Sequence, residues 1–301
     1  MLIKNEFSIN DLEIATGIKS HTIRIWEKRY KLLNPRRGKR NIRHYNINDF
    51  RKFLSIAILY HQGLKISKIA QLSRKQLMQK IIDEIAKEDL YNAQKNLETI
   101  KIKIISNIIE LNISEFNRII DETINSYGFE TTFEKVLIPV LEKIGLFWQS
   151  ETICAGQEHL FSNIIRDKII KLEKENITNN NPKTFLLFLC EDELHEIGLL
   201  FARFIIKSHG HKVIYLGQAT PLQDVILISQ KIPEIDYILT SFVSPIEQHL
   251  LKKKIKSLIN STQKSIIVIG KQAKNLKLEK FSKLHIFADI PDFKNFISNL
   301  K

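Results

Sequence analysis

Six residues, Glu193-Leu194-His195-Glu196-Ile197-Gly198, follow directly on the apolar run Phe185-Leu186-Leu187-Phe188-Leu189-Cys190. A run of that kind reads as a buried strand, and the residues after it as the loop that leads into a helix. Ligands bind in such loops in open α/β sheets. A neutral imidazole there can coordinate a transition metal, and a nearby carboxylate or carbonyl can fix its tautomer. The alternative for His195 is a solvated loop side chain. Upstream, Trp148 is followed ten residues later by Glu158-His159. Taken alone, that trio reads as a core tryptophan and two satisfied polar residues near a helix end.

The elements that must position these groups come from the alternation of patterns. After the polar stretch 176–183, expected strands at Thr184–Cys190, Lys212–Leu216, Tyr237–Thr240, Ile266–Ile269 and His285–Ala288 alternate with expected helices. The helices fall at Leu194–Ser208, Pro221–Gln230, Pro245–Ile259 and from Asp292 onward. Strand–helix repeats with short links imply a mostly parallel, doubly wound sheet. The strand ends near His195, Gly217, Ser241 and Gly270 then share one edge. Residues 76–176 carry helical periodicity, with few glycines and a single proline, Pro139, and fit a helical bundle. The expected class is therefore α plus α/β: a winged helix-turn-helix over 1–75, a bundle over 76–176 and a Rossmann-like sheet over 183–301.

Charge separates the N-terminal block from the rest. Residues 1–80 hold 18 Lys/Arg against 5 Asp/Glu, whereas the remainder balances at 28 against 28, so the whole net charge of +13 belongs to the first block. That is the footprint of a nucleic-acid module on an otherwise neutral chain. Ser8 with Asp11 makes a capping-box start for a helix to about Thr16, and Gly17 provides the turn. Ser20 is expected to cap a second helix to Tyr30 with Ile23 and Trp26 inward, and Asn48 a third to about Tyr60. Between them, Pro35 to Tyr45 sets five cations around Gly38, a phosphate-gripping wing. No run of 18 uncharged apolar residues suggests a membrane span, and the N-terminus lacks the layout of a secretion signal. Cys154 and Cys190 form no disulfide framework. A cytoplasmic protein is expected.

Residues 5–75 resemble the MerR family of winged-helix regulators. The resemblance rests on Ile9-x-x-Leu12-x-x-x-Thr16-Gly17, Thr22-Ile23-Arg24-x-Trp26-Glu27, Arg36, Arg43-x-Tyr45 and Gly63 with Ile69. It implies double-stranded operator DNA as the partner, bound by a dimer or higher oligomer. The expected contacts are His21, Thr22, Arg24, Arg36, Arg37, Lys39, Arg40, Arg43 and Tyr45, with Tyr45, like Trp26, read as a core or wing-packing residue rather than a base contact. Thiol metal sensors of the family place cysteines beside the dimer helix; this chain has none there.

Residues 95–295 resemble the cobalamin-binding unit shared by methionine synthase and the CarH/LitR photoreceptor repressors. The motifs are Glu193-x-His195-x-x-Gly198, Leu216-Gly217-x-x-x-Pro221, Ser241-Phe242-Val243 and Gly270-Lys271, with Lys271 where the family has a second glycine. The resemblance implies His195 as lower cobalt ligand, with Glu193, Gly198, Gly217, Ser241, Val243 and Gly270 around the cofactor. It implies Trp148, Glu158 and His159 on the upper side, facing an adenosyl group or the corrin. Lys271 would either crowd the nucleotide tail or reach its phosphate. Gln149 replaces the histidine that binds cobalt from above after photolysis in light-sensing members; an amide is a poorer cobalt ligand than imidazole. The implied function is a transcriptional repressor controlled by cobalamin, adenosylcobalamin foremost, with light as a second input. A regulator with a degenerate cobalamin domain and a corrinoid carrier for methyl transfer are the rivals. No nucleophile–base pair or phosphate loop points to an enzyme.

Overall fold

The computed structural model describes residues 6–38, 42–73, 75–77, 79–80, 93–149, 153–173, 180–244, 247–270, 272–273 and 283–300. Lys39, Arg40 and Lys271, and the side chain of Gln149, lie outside the described residues. The chain divides into two compact units, Met1–Ser162 and Asn163–Lys301. The division falls inside a helix, not in the polar stretch 176–183.

The first unit opens with strand β1 (Glu6–Phe7) and helices α1 (Ile9–Thr16) and α2 (Ser20–Tyr30). Strands β2 (Arg36–Arg37) and β3 (Arg43–Asn46) follow, then α3 (Ile47–His61) and the single turn α4 (Ile66–Ile69). The strands form one antiparallel sheet in the order β1-β3-β2. Phe7 on β1 stacks on Phe50 at 4.3 Å, and Trp26 meets Tyr60 edge-on at 4.8 Å, so α3 is packed with aromatic rings near both of its ends.

The caps explain where these helices begin. Ser8 and Asp11 form the expected capping box, and Gly17 ends α1 at φ 76°. Two expected caps are displaced. Asn46, not Asn48, caps α3, with Asp49 completing the box. Ser20 is the first residue of α2 and Lys19 its cap, with no side-chain bond from Lys19 to the helix. A carboxylate from the previous helix does that work: Glu13 Oε2 accepts from Ser20 N at 2.9 Å and Ser20 Oγ at 2.6 Å. A negative group at a helix N-terminus satisfies orphan N–H donors and the local dipole together.

The same unit continues through α5 (Ala93–Ile109), α6 (Ile113–Tyr127) and α7 (Phe129–Thr132). A π-helical segment, Phe133–Leu137, leads into α8 (Ile138–Gln149), and α9 (Ala155–Leu172) follows. Pro139 accounts for the π segment. It has no N–H to give the ladder, and the widened turn just before it, with Ile138 N–H reaching back to Phe133 O, absorbs the mismatch.

The second unit is a five-stranded parallel sheet with helices between its strands. In chain order these are β4 (Thr184–Cys190), α10 (Ile197–Ser208), β5 (Lys212–Thr220), α11 (Leu222–Lys231) and β6 (Tyr237–Ser241). Then come α12 (Gln248–Thr262), β7 (Ser265–Ile269), β8 (Leu284–Phe287) and α13 (Ile290–Ser298). The spatial order is β5-β4-β6-β7-β8. Every residue of β4 is buried, as a central parallel strand requires. Strand β5 does not close at Gly217. Pairing shifts there, Leu187 opposite Tyr215 and Phe188 opposite Gly217, so Leu216 is the extra residue of a bulge and Gly217 takes φ 85°. The strand then runs on to Thr220.

Candidate functional site

Strand order reverses direction between β4 and β6, because the chain moves out from β4 to β5 on one side and returns to β6 on the other. At such a switch point the loops beyond the carboxyl ends of the two strands diverge and leave a crevice. The loop after β4 carries His195 and the loop after β6 carries Phe242 to Ser244.

Glu193 ties those loops together. Its side chain is only 4% exposed, whereas that of His195 is 61% exposed. One carboxylate oxygen, Oε2, accepts from the backbone N–H of Val243 and of Ser244, each at 2.8 Å. The other, Oε1, lies 2.6 Å from His195 Nδ1 and accepts from His195 N at 3.1 Å and Ser244 Oγ at 3.1 Å. Burial alone would raise this carboxyl's pKa, but the bonds from His195, Ser244 and Val243 outweigh it and hold it at about 2. An ionised carboxylate accepts only, so Nδ1 of a neutral ring must carry the proton and Nε2 the lone pair. That is the tautomer a metal-ligating imidazole needs.

Two further glutamates, neither singled out by the sequence, fix the same loop. Glu191 accepts from Leu222 N at the start of α11 and pairs with Lys254 Nζ of α12 at 2.8 Å. Its pKa, which burial pushes upward, is brought to about 2 by those donors. Glu196 is buried, accepts from the Tyr215 hydroxyl at 2.9 Å and pairs with Arg166 of α9 at 2.8 Å. Tyr215 is correspondingly pushed up, by burial and then by Glu196. The extension of β5 past Gly217 reaches the loop as well, with Gln218 Nε2 donating to Leu194 O.

The glycines line up with the motif. A Cβ built at Gly270, which ends β7 at φ 102°, would stand 3.3 Å from Ser241 Oγ and 3.4 Å from Phe242 O. Only glycine avoids both the strain and the contact. Gly198 is exposed in the first turn of α10. Ser241 is buried at the end of β6, whereas Val243 is exposed. An exposed imidazole whose Nδ1 is held by a buried carboxylate is a donor that would suit the cobalt of a corrinoid.

In the first unit, Trp148 ends α8 as an exposed side chain. Glu158 lies in the first turn of α9, accepting from Ser162 Oγ at 2.6 Å, with the exposed His159 ring 3.5 Å from its other oxygen. Among the expected DNA contacts, His21, Arg24, Arg36 and Arg37 are exposed and Thr22 half-buried. Arg43 and Tyr45 are used differently. Arg43 Nε bonds both oxygens of Glu27 on α2, at 3.0 and 3.1 Å. Tyr45 is completely buried and its hydroxyl donates to Glu27 at 2.9 Å. These residues seat the wing on α2; Tyr45 has no surface to offer a phosphate. Glu27 stood in the sequence motif without a role, and the structure gives it this one.

Residues 7–76 match the family model for MerR HTH family regulatory proteins, and residues 103–173 that of the B12 binding domain. The chain joins a MerR helix-turn-helix module to a B12-binding module. It is 28% identical to the HTH-type transcriptional repressor CarH of Myxococcus xanthus, over 74% of this chain and 75% of that repressor. It is 26% identical to the HTH-type transcriptional repressor CarA of the same organism, over 71% of this chain and 68% of the relative. Among solved structures, the monomethylamine corrinoid protein of Methanosarcina barkeri is similar in fold, with a TM-score of 0.52 at 15% identity, covering 67% of this chain and 98% of that one. The B12-binding match runs from residue 103, within α5, to the end of α9, and the parallel sheet follows. No helix among the described residues is long and apolar enough to cross a membrane.

Proposed function

We propose that this protein is a cytoplasmic transcriptional repressor that binds operator DNA through its winged helix and is controlled by cobalamin, His195 supplying the lower cobalt ligand. The observation that carries the reading is the Glu193–His195 pair at the switch point of a sheet joined to a MerR module. When bound, adenosylcobalamin would supply a cobalt centre and light-sensitive organometallic chemistry. The protein's own residues do the rest. Glu193 holds Nδ1 and so keeps Nε2 basic; Glu191 and Glu196 immobilise the loop; Gly198, Gly217 and Gly270 permit close backbone approach. Trp148, Glu158 and His159 supply an aromatic face and polar groups suited to the upper ligand. Operator binding needs two or more readers at fixed spacing, so assembly of the protein into dimers or tetramers multiplies DNA affinity, and cobalamin acts by changing that assembly.

The test is a titration of the full chain with adenosylcobalamin, following absorbance, beside His195→Ala. Co-elution of a coloured complex, with weakened binding or a base-off spectrum in the variant, supports the reading. Identical spectra and affinity for both proteins would remove His195 from the cobalt, and the absence of any complex would remove cobalamin altogether.

A further inference from the structure

The outward face of α2 carries one apolar side chain among polar ones. Ile23 and Trp26 are buried, while His21, Arg24, Ile25, Lys28 and Arg29 are exposed. Ile25 is 54% exposed. Its neighbours on the helix surface, three and four positions away, are His21, Thr22, Lys28 and Arg29. With more than half of its surface exposed, isoleucine gains little there from the fold, and a β-branched residue is a mediocre helix former.

A single exposed isoleucine needs no account on most surfaces. Its position gives this one a partner. In a helix-turn-helix the second helix enters the major groove and presents its N-terminal half to base edges. The groove offers hydrogen-bonding groups at every base pair, but one apolar group only, the C5 methyl of thymine. An isoleucine ringed by cations and a hydroxyl matches that chemistry: the ring takes phosphates and polar edges, the centre takes a methyl. The mounting is rigid. Glu13 holds the start of α2 through Ser20, and Glu27 bonds the wing through Arg43 and Tyr45. A β-branched side chain in a helix also has essentially one rotamer, so little freedom is lost on contact.

We infer that Ile25 is a specificity-determining residue of the winged helix, reading one thymine per half-site through its methyl group. This rests on the operator-binding reading above. The experiment uses the full chain and a pool of random-sequence duplexes, from which a bound site is selected and its affinity measured by fluorescence anisotropy at fixed salt. Each thymine of one half-site is then replaced singly by uracil, which removes only the methyl. Wild type should lose roughly fourfold at one thymine, the equivalent of one buried methyl group. Ile25→Ala should bind thymine and uracil versions equally, at about the affinity of wild type for the uracil duplex, and Ile25→Val should keep the discrimination.

Three results would overturn the inference. The first is wild type binding every uracil duplex as well as the selected one. The second is survival of the thymine preference in Ile25→Ala. The third is loss of affinity in Ile25→Ala without loss of discrimination, together with a changed oligomeric state, which assigns Ile25 to a contact between copies. Operator binding itself fails separately, and takes this inference with it, if no duplex is selected and Arg24→Ala and Arg36→Ala leave retention on mixed-sequence DNA unchanged.

Discussion

Replacing Glu193 by glutamine keeps shape and removes charge, and the structure sets the consequence. The carboxylate accepts from two directions, His195 N and Nδ1 on one side, Val243 N and Ser244 N on the other. A carboxamide has one accepting oxygen and one donating NH2. If the oxygen turns toward Val243 and Ser244, the NH2 donates to Nδ1 and the imidazole must carry its proton on Nε2, the wrong tautomer for a metal ligand. Loss of such a positioning partner costs about 10–100-fold in metal affinity. If instead the oxygen turns toward His195, two N–H groups of the β6 loop face an NH2, and each unsatisfied buried donor costs about 1–3 kcal/mol. Glu193→Gln is therefore expected to weaken cobalamin binding by about 10–100-fold or to destabilise the sheet unit by about 2 kcal/mol or more. Absorbance titration measures the first and denaturant unfolding of the cofactor-free protein the second. Cobalamin affinity within twofold of wild type, together with unchanged stability, would refute the reasoning.

Three other perturbations follow from particular contacts. Bonds from the Ser20 hydroxyl and N–H, and then Lys19, lower the Glu13 pKa from 4.5 to about 2. Its stabilisation of α2 is complete above about pH 4.5 and fades toward pH 2; Glu13→Gln should remove that dependence and cost about 1 kcal/mol at pH 7, as a lost helix cap does. Thermal melts of both proteins at pH 7 and pH 3 check this, and parallel pH curves would count against it. Gly270→Ala should destabilise the second unit by about 1–3 kcal/mol, since alanine at φ 102° is strained and its Cβ meets Ser241 Oγ; wild-type stability in urea would show the turn can relax. Gln157 is buried, with its amide donating to Ile108 O and Ile109 O and its oxygen accepting from Cys154 N. Gln157→Ala should cost about 1–3 kcal/mol, seen as a lower melting temperature, because α5 and α9 lose a shared anchor.

Elements governed by local pattern were legible in the sequence. Strand β4 matches its expected bounds, Thr184–Cys190, because six apolar residues in a row after Thr184 suit a strand buried on both faces. Helix α1 and its capping box match because every group involved lies within four residues. Departures come where a distant residue intervenes. Ser20 looks like a cap by type, but Glu13 supplies the carboxylate that satisfies it. Gly217 looks like a strand end, but pairing with β4 carries the strand through a bulge. Helix α10 begins at Ile197, not Leu194, because Glu193 and His195 are bonded to each other and to the β6 loop instead of entering a helical ladder. Strand β1 has two residues and no pattern of its own; only pairing with β3 defines it. The histidine and its surrounding glycines were visible as a motif, whereas Glu191 and Glu196 were visible only as charges near it.

The two halves of the chain solve one problem in the same way. A functional side chain on a loop needs an orienting partner, and in both halves that partner is a carboxylate contributed from the motif itself. Glu193 does this for His195. Glu27, inside Thr22-Ile23-Arg24-x-Trp26-Glu27, does it for the wing by taking Arg43 and the Tyr45 hydroxyl. Counting cations therefore overstates how many can release counterions from DNA. Arg43, paired at 3.0 Å and about three-quarters shielded, is already neutralised before any phosphate arrives. The logarithm of affinity falls with the logarithm of salt by about 0.9 for each phosphate neutralised. Removing Arg43 should thus barely change that slope, because its charge never reaches the duplex, yet it should weaken binding at every salt concentration because the wing loses its anchor on α2. Removing Arg36, exposed on β2, should lower the slope itself by about one. The distinction separates an arginine that holds the reader together from one that touches what is read.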